Sequence, residues 1–107
     1  MITRREKIEA MLADDPHDVF LRYSLAMELA KEGRVDESLQ ALRELATGDP
    51  PYVPAFFMAA QQLVERRDYE AARAALRTGI EAARAQHDAH AASEMSEFLA
   101  SLGPAGA

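Results

Sequence analysis

The feature that most constrains the fold of this chain is an internal repeat with a period of about 34 residues. The dipeptide Asp15-Pro16 returns one period later as Asp49-Pro50. At the same offset apolar positions fall on apolar positions, as in the pairs Ile8 with Leu42, Leu25 with Ala59, Ala26 with Ala60, Leu29 with Leu63 and Leu42 with Leu76. Periods of roughly 20 to 50 residues are typical of helical and other repeat architectures. With 107 residues, the chain has room for two full copies within a single domain.

Local signals divide each copy into two helices. Alanine is abundant while Val, Ile and Thr are few, which favours helices over strands. Asp18 can cap a helix, Gly33 provides a turn, and Pro54 suits a first helical turn. The sequence therefore predicts an all-α fold, a short antiparallel helix-turn-helix solenoid of about six helices, over residues 3–14, 18–31, 35–46, 54–65, 69–84 and 88–102.

We predict a single domain over residues 1–103 with a helix at each end of the two repeats. Residues 3–14 form a capping helix, residues 15–50 the first repeat and residues 51–86 the second. A closing helix over 88–102 carries Met95, Phe98, Leu99 and Leu102 on one face. Gly103-Pro104 should end it, and residues 104–107 are predicted to form a disordered tail.

The two copies resemble the tetratricopeptide repeat (TPR), a helix-turn-helix unit with the pattern W-x₂-L-G-x₂-Y, A-x₃-F and P. Its places are held in the first unit by Arg22, Leu25, Ala26, Leu29, Ser38, Leu42 and Pro50, and in the second by Phe56, Ala59, Ala60, Leu63, Ala72, Leu76 and Arg84. Two residues depart from the pattern. Arg22 replaces an aromatic residue, which predicts a looser entry to the first unit or one covered by the N-terminal helix. Arg84 replaces the terminal proline, which predicts a longer fourth helix in the two units.

The resemblance implies a protein-interaction adaptor, because TPR arrays bind peptides or helices on the face made by the first helix of each unit. The candidate partner-binding residues, which we call the predicted groove, are Phe20, Tyr23, Met27, Phe57, Gln61 and Val64. Their apolar character suits a peptide or an amphipathic helix of another protein. The same stripe can instead form the seam of a homodimer or be covered by the closing helix, and the sequence leaves these alternatives open. The Lys and Asn of a carboxylate clamp are not found at these positions.

Charge and cysteine content narrow the classes of partner. The net charge of −6 and the pI near 5.0 disfavour phosphate backbones and anionic lipids, so we expect no nucleic-acid or membrane partner. The chain contains no cysteine, which excludes disulfides, thiolate metal ligands and cysteine nucleophiles. Neither a secretory signal nor a long apolar run is present, and we expect a cytoplasmic protein.

The strongest chemical candidate is the stretch that contains His87, His90 and Glu94. His90 and Glu94 have the i, i+4 spacing that places two metal ligands on one helix face. A third ligand at a suitable distance is missing, and loop and helix-start positions explain these residues better. Gly-rich phosphate loops and G-x-S-x-G elbows are also absent. We therefore predict no metal site, no cofactor and no catalytic residue, with a metal-dependent enzyme as the least favoured alternative.

Overall fold

A computed structural model describes residues 1–103, and this part of the chain contains six helices and no strand. Each helix begins and ends within one residue of its predicted bounds, which confirms the all-α prediction. The predicted tail over 104–107 lies outside the described residues. The six helices are α1 (Arg4–Asp14), α2 (Val19–Lys31), α3 (Val35–Ala46), α4 (Val53–Glu65), α5 (Tyr69–Ala85) and α6 (Ala89–Ser101).

The helix starts are fixed by short-range side-chain caps. Asp18, Asp68 and Asp88 each accept a hydrogen bond from the backbone N–H three residues further on. Thr3 and Glu6 form a capping box, in which Glu6 N–H donates to Thr3 Oγ1 at 3.0 Å and Thr3 N–H donates to Glu6 Oε1 at 2.9 Å. Hydrogen bonding of the Glu6 carboxyl to Thr3, first to its backbone N–H and then to its side chain, lowers the pKa of that carboxyl. The caps act over three residues, and for this reason the bounds were readable from sequence.

Four of the described helices are followed by a left-handed residue, which after α6 is Gly103 and in the other three lies in a turn between two helices. The φ angles are 81° at Gly33, 64° at Arg67 and 60° at His87. In each turn the next residue donates its N–H to a carbonyl five residues earlier, at 2.8 to 2.9 Å, which is the bond of a Schellman motif. Gly33 and Arg67 are separated by one repeat period, so the two repeats turn at the same place with different residues.

The helices pack in chain order, each against the next, and α4 also contacts α6. The resulting body measures 46 × 30 × 18 Å. Two apolar clusters fill it. One lies among α2, α3 and α4 and is centred on Leu42 and Leu45, and the other lies among α4, α5 and α6 and is centred on Phe56, Leu76 and Met95. The closing helix therefore takes part in the core of the second repeat.

The fourth helix of the two repeat units, α5, is longer than its counterpart, as the loss of proline at Arg84 predicted. It has 17 residues, whereas α3 has 12. The capping residue of α4, Tyr52, follows that of α2, Asp18, by one repeat period. The cap of α6, Asp88, follows Tyr52 at a spacing two positions longer than that period. The extension of α5 thus moves the closing helix out of the repeat register.

Candidate functional site

The helices α2, α4 and α6 meet around a pocket of about 250 Å³, which we call the central pocket. Apolar and aromatic side chains make most of its wall, and two carboxylate side chains from α6 and its cap complete it. The lining residues are Tyr23, Val53, Pro54, Phe57, Asp88, Ala91, Glu94 and Met95. A pocket with mostly apolar walls and a few polar groups has the general character of a binding site.

Two aromatic pairs hold the rings at this site. The Tyr23 ring meets the Tyr52 ring edge to face, with centroids 5.5 Å apart and an angle of 62°. The Phe57 ring stacks on the Phe98 ring of α6, also at 5.5 Å, with an angle of 15°. Both arrangements are favourable for aromatic quadrupoles. Burial, and secondarily the neighbouring Tyr52, raise the pKa of the Tyr23 phenol.

A buried polar network fixes the spacing of α2, α3 and α4 behind the pocket. Ser38 Oγ donates to the Ala26 carbonyl at 2.6 Å, and Gln62 Nε2 donates to Ser38 Oγ at 3.1 Å. Ser38 is fully buried and Gln62 is 7% exposed. Bonds of this kind are costly to break because each partner would stay buried without its hydrogen bond. The network therefore holds the two helices that carry Tyr23 and Phe57 at one distance.

The structure divides the predicted groove among four places. Tyr23 and Phe57 come together in the central pocket. Met27 and Gln61 lie together in a shallower depression of about 290 Å³ between α2 and α4. Val64 packs against the apolar cluster that α6 completes.

Phe20 faces a different surface, near the N-terminal helix. It is 65% exposed and lines an open depression of about 550 Å³, which we call the N-terminal pocket. Met11, 54% exposed, lies in the same pocket, beside Arg4 and Lys7 of α1. One alternative left open by the sequence was that the closing helix covers the stripe. In the structure α6 covers part of the second unit and leaves the Phe20 end uncovered.

Sequence reasoning did not assign Val53, Asp88, Ala91, Glu94 and Met95 to this site. Asp88 was visible as the start of a helix and Glu94 as part of its polar face, but neither signal says which helix lies opposite. The packing of α6 on α4 and α5 brings them beside Tyr23 and Phe57. The longer α5 also displaces them from the repeat register, so the repeat offset could not have found them.

The histidine stretch is exposed. His90 Nε2 lies 3.2 Å from Glu94 Oε1, and the two side chains are 86% and 53% exposed. Within residues 1–103 there is no group of three or more His, Cys, Asp or Glu side chains arranged to hold a metal ion. None of the helices in this range is long and apolar enough to cross a membrane.

The described residues thus define an all-helical stack of antiparallel helix-turn-helix units with a pocket on one face. No protein-family model and no curated protein matches the sequence. The chain is similar to protein BPP2914 from Bordetella parapertussis, a structural genomics target with a solution structure. The sequences are 31% identical, the match covers 95% of this chain and 89% of that one, and the TM-score is 0.78. The chain belongs to the same family as this Bordetella protein.

Proposed function

We propose that this chain is a protein-interaction module of the TPR type that binds a segment of another protein in the central pocket. The observation that carries the proposal is the pocket itself, in which Tyr23 of α2, Phe57 of α4 and Ala91 of α6 surround one space of about 250 Å³. The TPR assignment rests on the repeat period and on the residues that match the repeat pattern. We expect such a module to act in the cytoplasm, without a cofactor and without catalysis.

The size and walls of the central pocket suit one or two side chains of a bound peptide. Aromatic rings give a large contact area at a small cost in side-chain entropy, and here both rings are already held by Tyr52 and Phe98. The partner therefore meets a preformed surface. The depression that contains Met27 and Gln61 lies between the same two helices and offers contacts to the rest of the segment.

The test is to add bulk to the pocket at the edge of the apolar cluster. Ala91 is half-buried in the first turn of α6 and lines the pocket, so Ala91→Leu adds bulk there while keeping a good helix former. Ala100→Leu on the same helix is the matched control, since Ala100 is exposed and away from the pocket. Peptides of about 15 residues, or about four helical turns, would be selected by display on the wild-type chain and measured by fluorescence anisotropy.

We expect Ala91→Leu to lower the affinity for the selected peptides by about tenfold or more. This corresponds to the loss of about 1.4 kcal/mol of binding free energy. Ala100→Leu should bind like the wild type, and both variants should keep the wild-type melting temperature. If Ala91→Leu binds normally, or if selection yields no peptide, the pocket is not the binding site and the proposal is wrong.

A homodimer is the second candidate, and the exposed N-terminal pocket favours it. Phe20 and Met11 are large apolar side chains left more than half exposed, and such patches often mark protein contacts. Sedimentation equilibrium over a range of concentrations tests this candidate. A dimer that Phe20→Ser converts to monomers would support it, and a wild-type chain that stays monomeric would exclude it.

A further inference from the structure

We propose that the central pocket selects a positively charged side chain, lysine or arginine, from the bound segment. This inference rests on the proposed function and adds the chemical class of the partner. Its basis is the pairing of two carboxylates, Asp88 and Glu94, with the aromatic rings of Tyr23 and Phe57 around one space.

The two carboxylates retain capacity to accept further hydrogen bonds. Asp88 Oδ1 accepts the Ala91 N–H at 3.1 Å, and a carboxylate has about four acceptor sites. Glu94 Oε1 faces His90 Nε2 at 3.2 Å, but both side chains are more than half exposed, so this contact is weak and easily exchanged. No lysine or arginine is among the described residues that line the pocket. Its charged side chains are therefore of one sign.

The helix dipole of α6 reduces this negative charge without cancelling it. The N-terminus of a helix is equivalent to about half a positive charge, against two carboxylates. The sum of the lining charges and this dipole therefore stays negative, as does the chain's total charge of −6. An approaching cation is thus attracted both at long range and at the site.

The other classes of side chain fit less well. An acidic side chain would be repelled by Asp88 and Glu94. A purely apolar side chain would fill the space between the rings but would strip water from two carboxylates without replacing its hydrogen bonds, which is unfavourable. Lysine and arginine satisfy both parts of the wall, because their methylene stems pack on apolar surface and their charged ends donate hydrogen bonds to carboxylates. Their charge also interacts favourably with aromatic faces.

The inference is tested with defined probes, independently of any natural partner. Blocked tripeptides with leucine on either side of a central arginine, lysine, citrulline or glutamate would be titrated into the ¹⁵N-labelled chain. Arginine and lysine should shift the amide signals of Tyr23, Ala91 and Glu94. Citrulline has nearly the shape of arginine without its charge, and we expect it to bind about tenfold more weakly, as when a charge-assisted hydrogen bond becomes a neutral one.

The chain offers a double variant that removes the charge and keeps the fold. Asp88→Asn preserves the helix cap, since Asn caps as well as Asp, and Glu94→Gln preserves shape. The control is Glu70→Gln with Glu81→Gln, two exposed positions of α5 outside the pocket, which removes the same number of negative charges. We expect the pocket variant to bind arginine and citrulline peptides alike and the control to keep the preference.

Equal binding of arginine and citrulline by the wild type, or an arginine preference unchanged in the pocket variant, would overturn the inference. Spermidine is a rival source of positive charge, and binding of spermidine more tightly than the arginine peptide would also overturn it. These outcomes leave the adaptor proposal standing if the display-selected peptides still respond to Ala91→Leu. If they do not respond, the adaptor proposal fails on its own test.

Discussion

At one pair of equivalent positions, the first repeat and the second carry their bulky apolar side chain on opposite helices. In the second repeat the large residue is Phe56 of α4, and Gly79 of α5 lies against it. At the same offset in the first repeat, α2 carries Arg22 and α3 carries Leu45. The bulky apolar side chain therefore lies on the first helix of the second unit and on the second helix of the first unit. The comparison teaches that the two repeats keep the same helix arrangement although their packing at equivalent positions differs.

The glycine shows how closely the second repeat is packed. A Cβ atom added to Gly79 would lie 2.6 Å from Phe56 Cβ and 2.7 Å from Met95 Sδ. The first repeat is looser at the corresponding place, where Arg22 and Leu45 both border an open pocket of about 470 Å³ beside the α3–α4 loop. The looser entry predicted from Arg22 thus has a structural counterpart there.

The largest expected effect comes from removing the bulk in the first repeat. Leu45 is 2% exposed, so Leu45→Ala should lower the free energy of unfolding by about 2–5 kcal/mol, through lost burial and the cavity left behind. Urea unfolding followed by circular dichroism measures it. Ile2→Ala, at a position 57% exposed, is the control and should change little. A loss below about 1 kcal/mol, well under this range, would show that the first repeat does not depend on Leu45.

Adding bulk to the second repeat should lower the free energy of unfolding by somewhat less than Leu45→Ala does. Gly79→Ala removes a helix-interior glycine, which alone would stabilise α5 by about 1 kcal/mol. The contacts with Phe56 and Met95 should outweigh that gain, and we expect a net loss of about 1–3 kcal/mol in urea unfolding. Adding Phe56→Leu to Gly79→Ala should recover little of the loss, because leucine keeps the Cβ and Cγ atoms that the added methyl group would meet. A more stable Gly79→Ala variant would contradict the close approach.

The smallest effect concerns the turns, where the first repeat has Gly33 and the second Arg67. The left-handed conformation is less stable by about 1–2 kcal/mol for a residue other than glycine. Arg67→Gly should therefore raise the unfolding free energy, by about 0.5–1 kcal/mol after the extra chain entropy of glycine. Arg67→Ala is the matched control, since it removes the side chain but keeps the Cβ. If alanine stabilises as much as glycine, the conformation at Arg67 is not the cause.

The helices were predictable because their signals are local. Thr3, Asp18, Asp68 and Asp88 cap helices within three residues of themselves, and Gly33 marks a turn by its own flexibility. The tertiary features depend on which surfaces meet. The apolar stripe of α2 and α4 allowed the closing helix as a cover but did not show that the cluster completed by α6 would include Phe57 and Val64 and leave Phe20 exposed.

The central pocket was only half predictable for the same reason. Tyr23 and Phe57 occupy equivalent repeat positions, and the period alone places them on neighbouring helices. Asp88 and Glu94 reach the pocket through the longer spacing between the α4 and α6 caps, which breaks the period. This longer spacing occurs once among the described helices. No second copy exists there from which the position of α6 could be predicted.

The edge-to-face pair of Tyr23 and Tyr52 provides an intrinsic spectroscopic signal for the pocket. The sequence has no tryptophan and three tyrosines, so phenols dominate its near-ultraviolet absorption and emission. Two of these chromophores lie 5.5 Å apart at the pocket, and the third, Tyr69, begins α5. Occupation of the pocket should therefore change near-ultraviolet circular dichroism and tyrosine emission directly. A ligand can be detected on the unlabelled chain, and Tyr52→Phe would identify the signal of the pair.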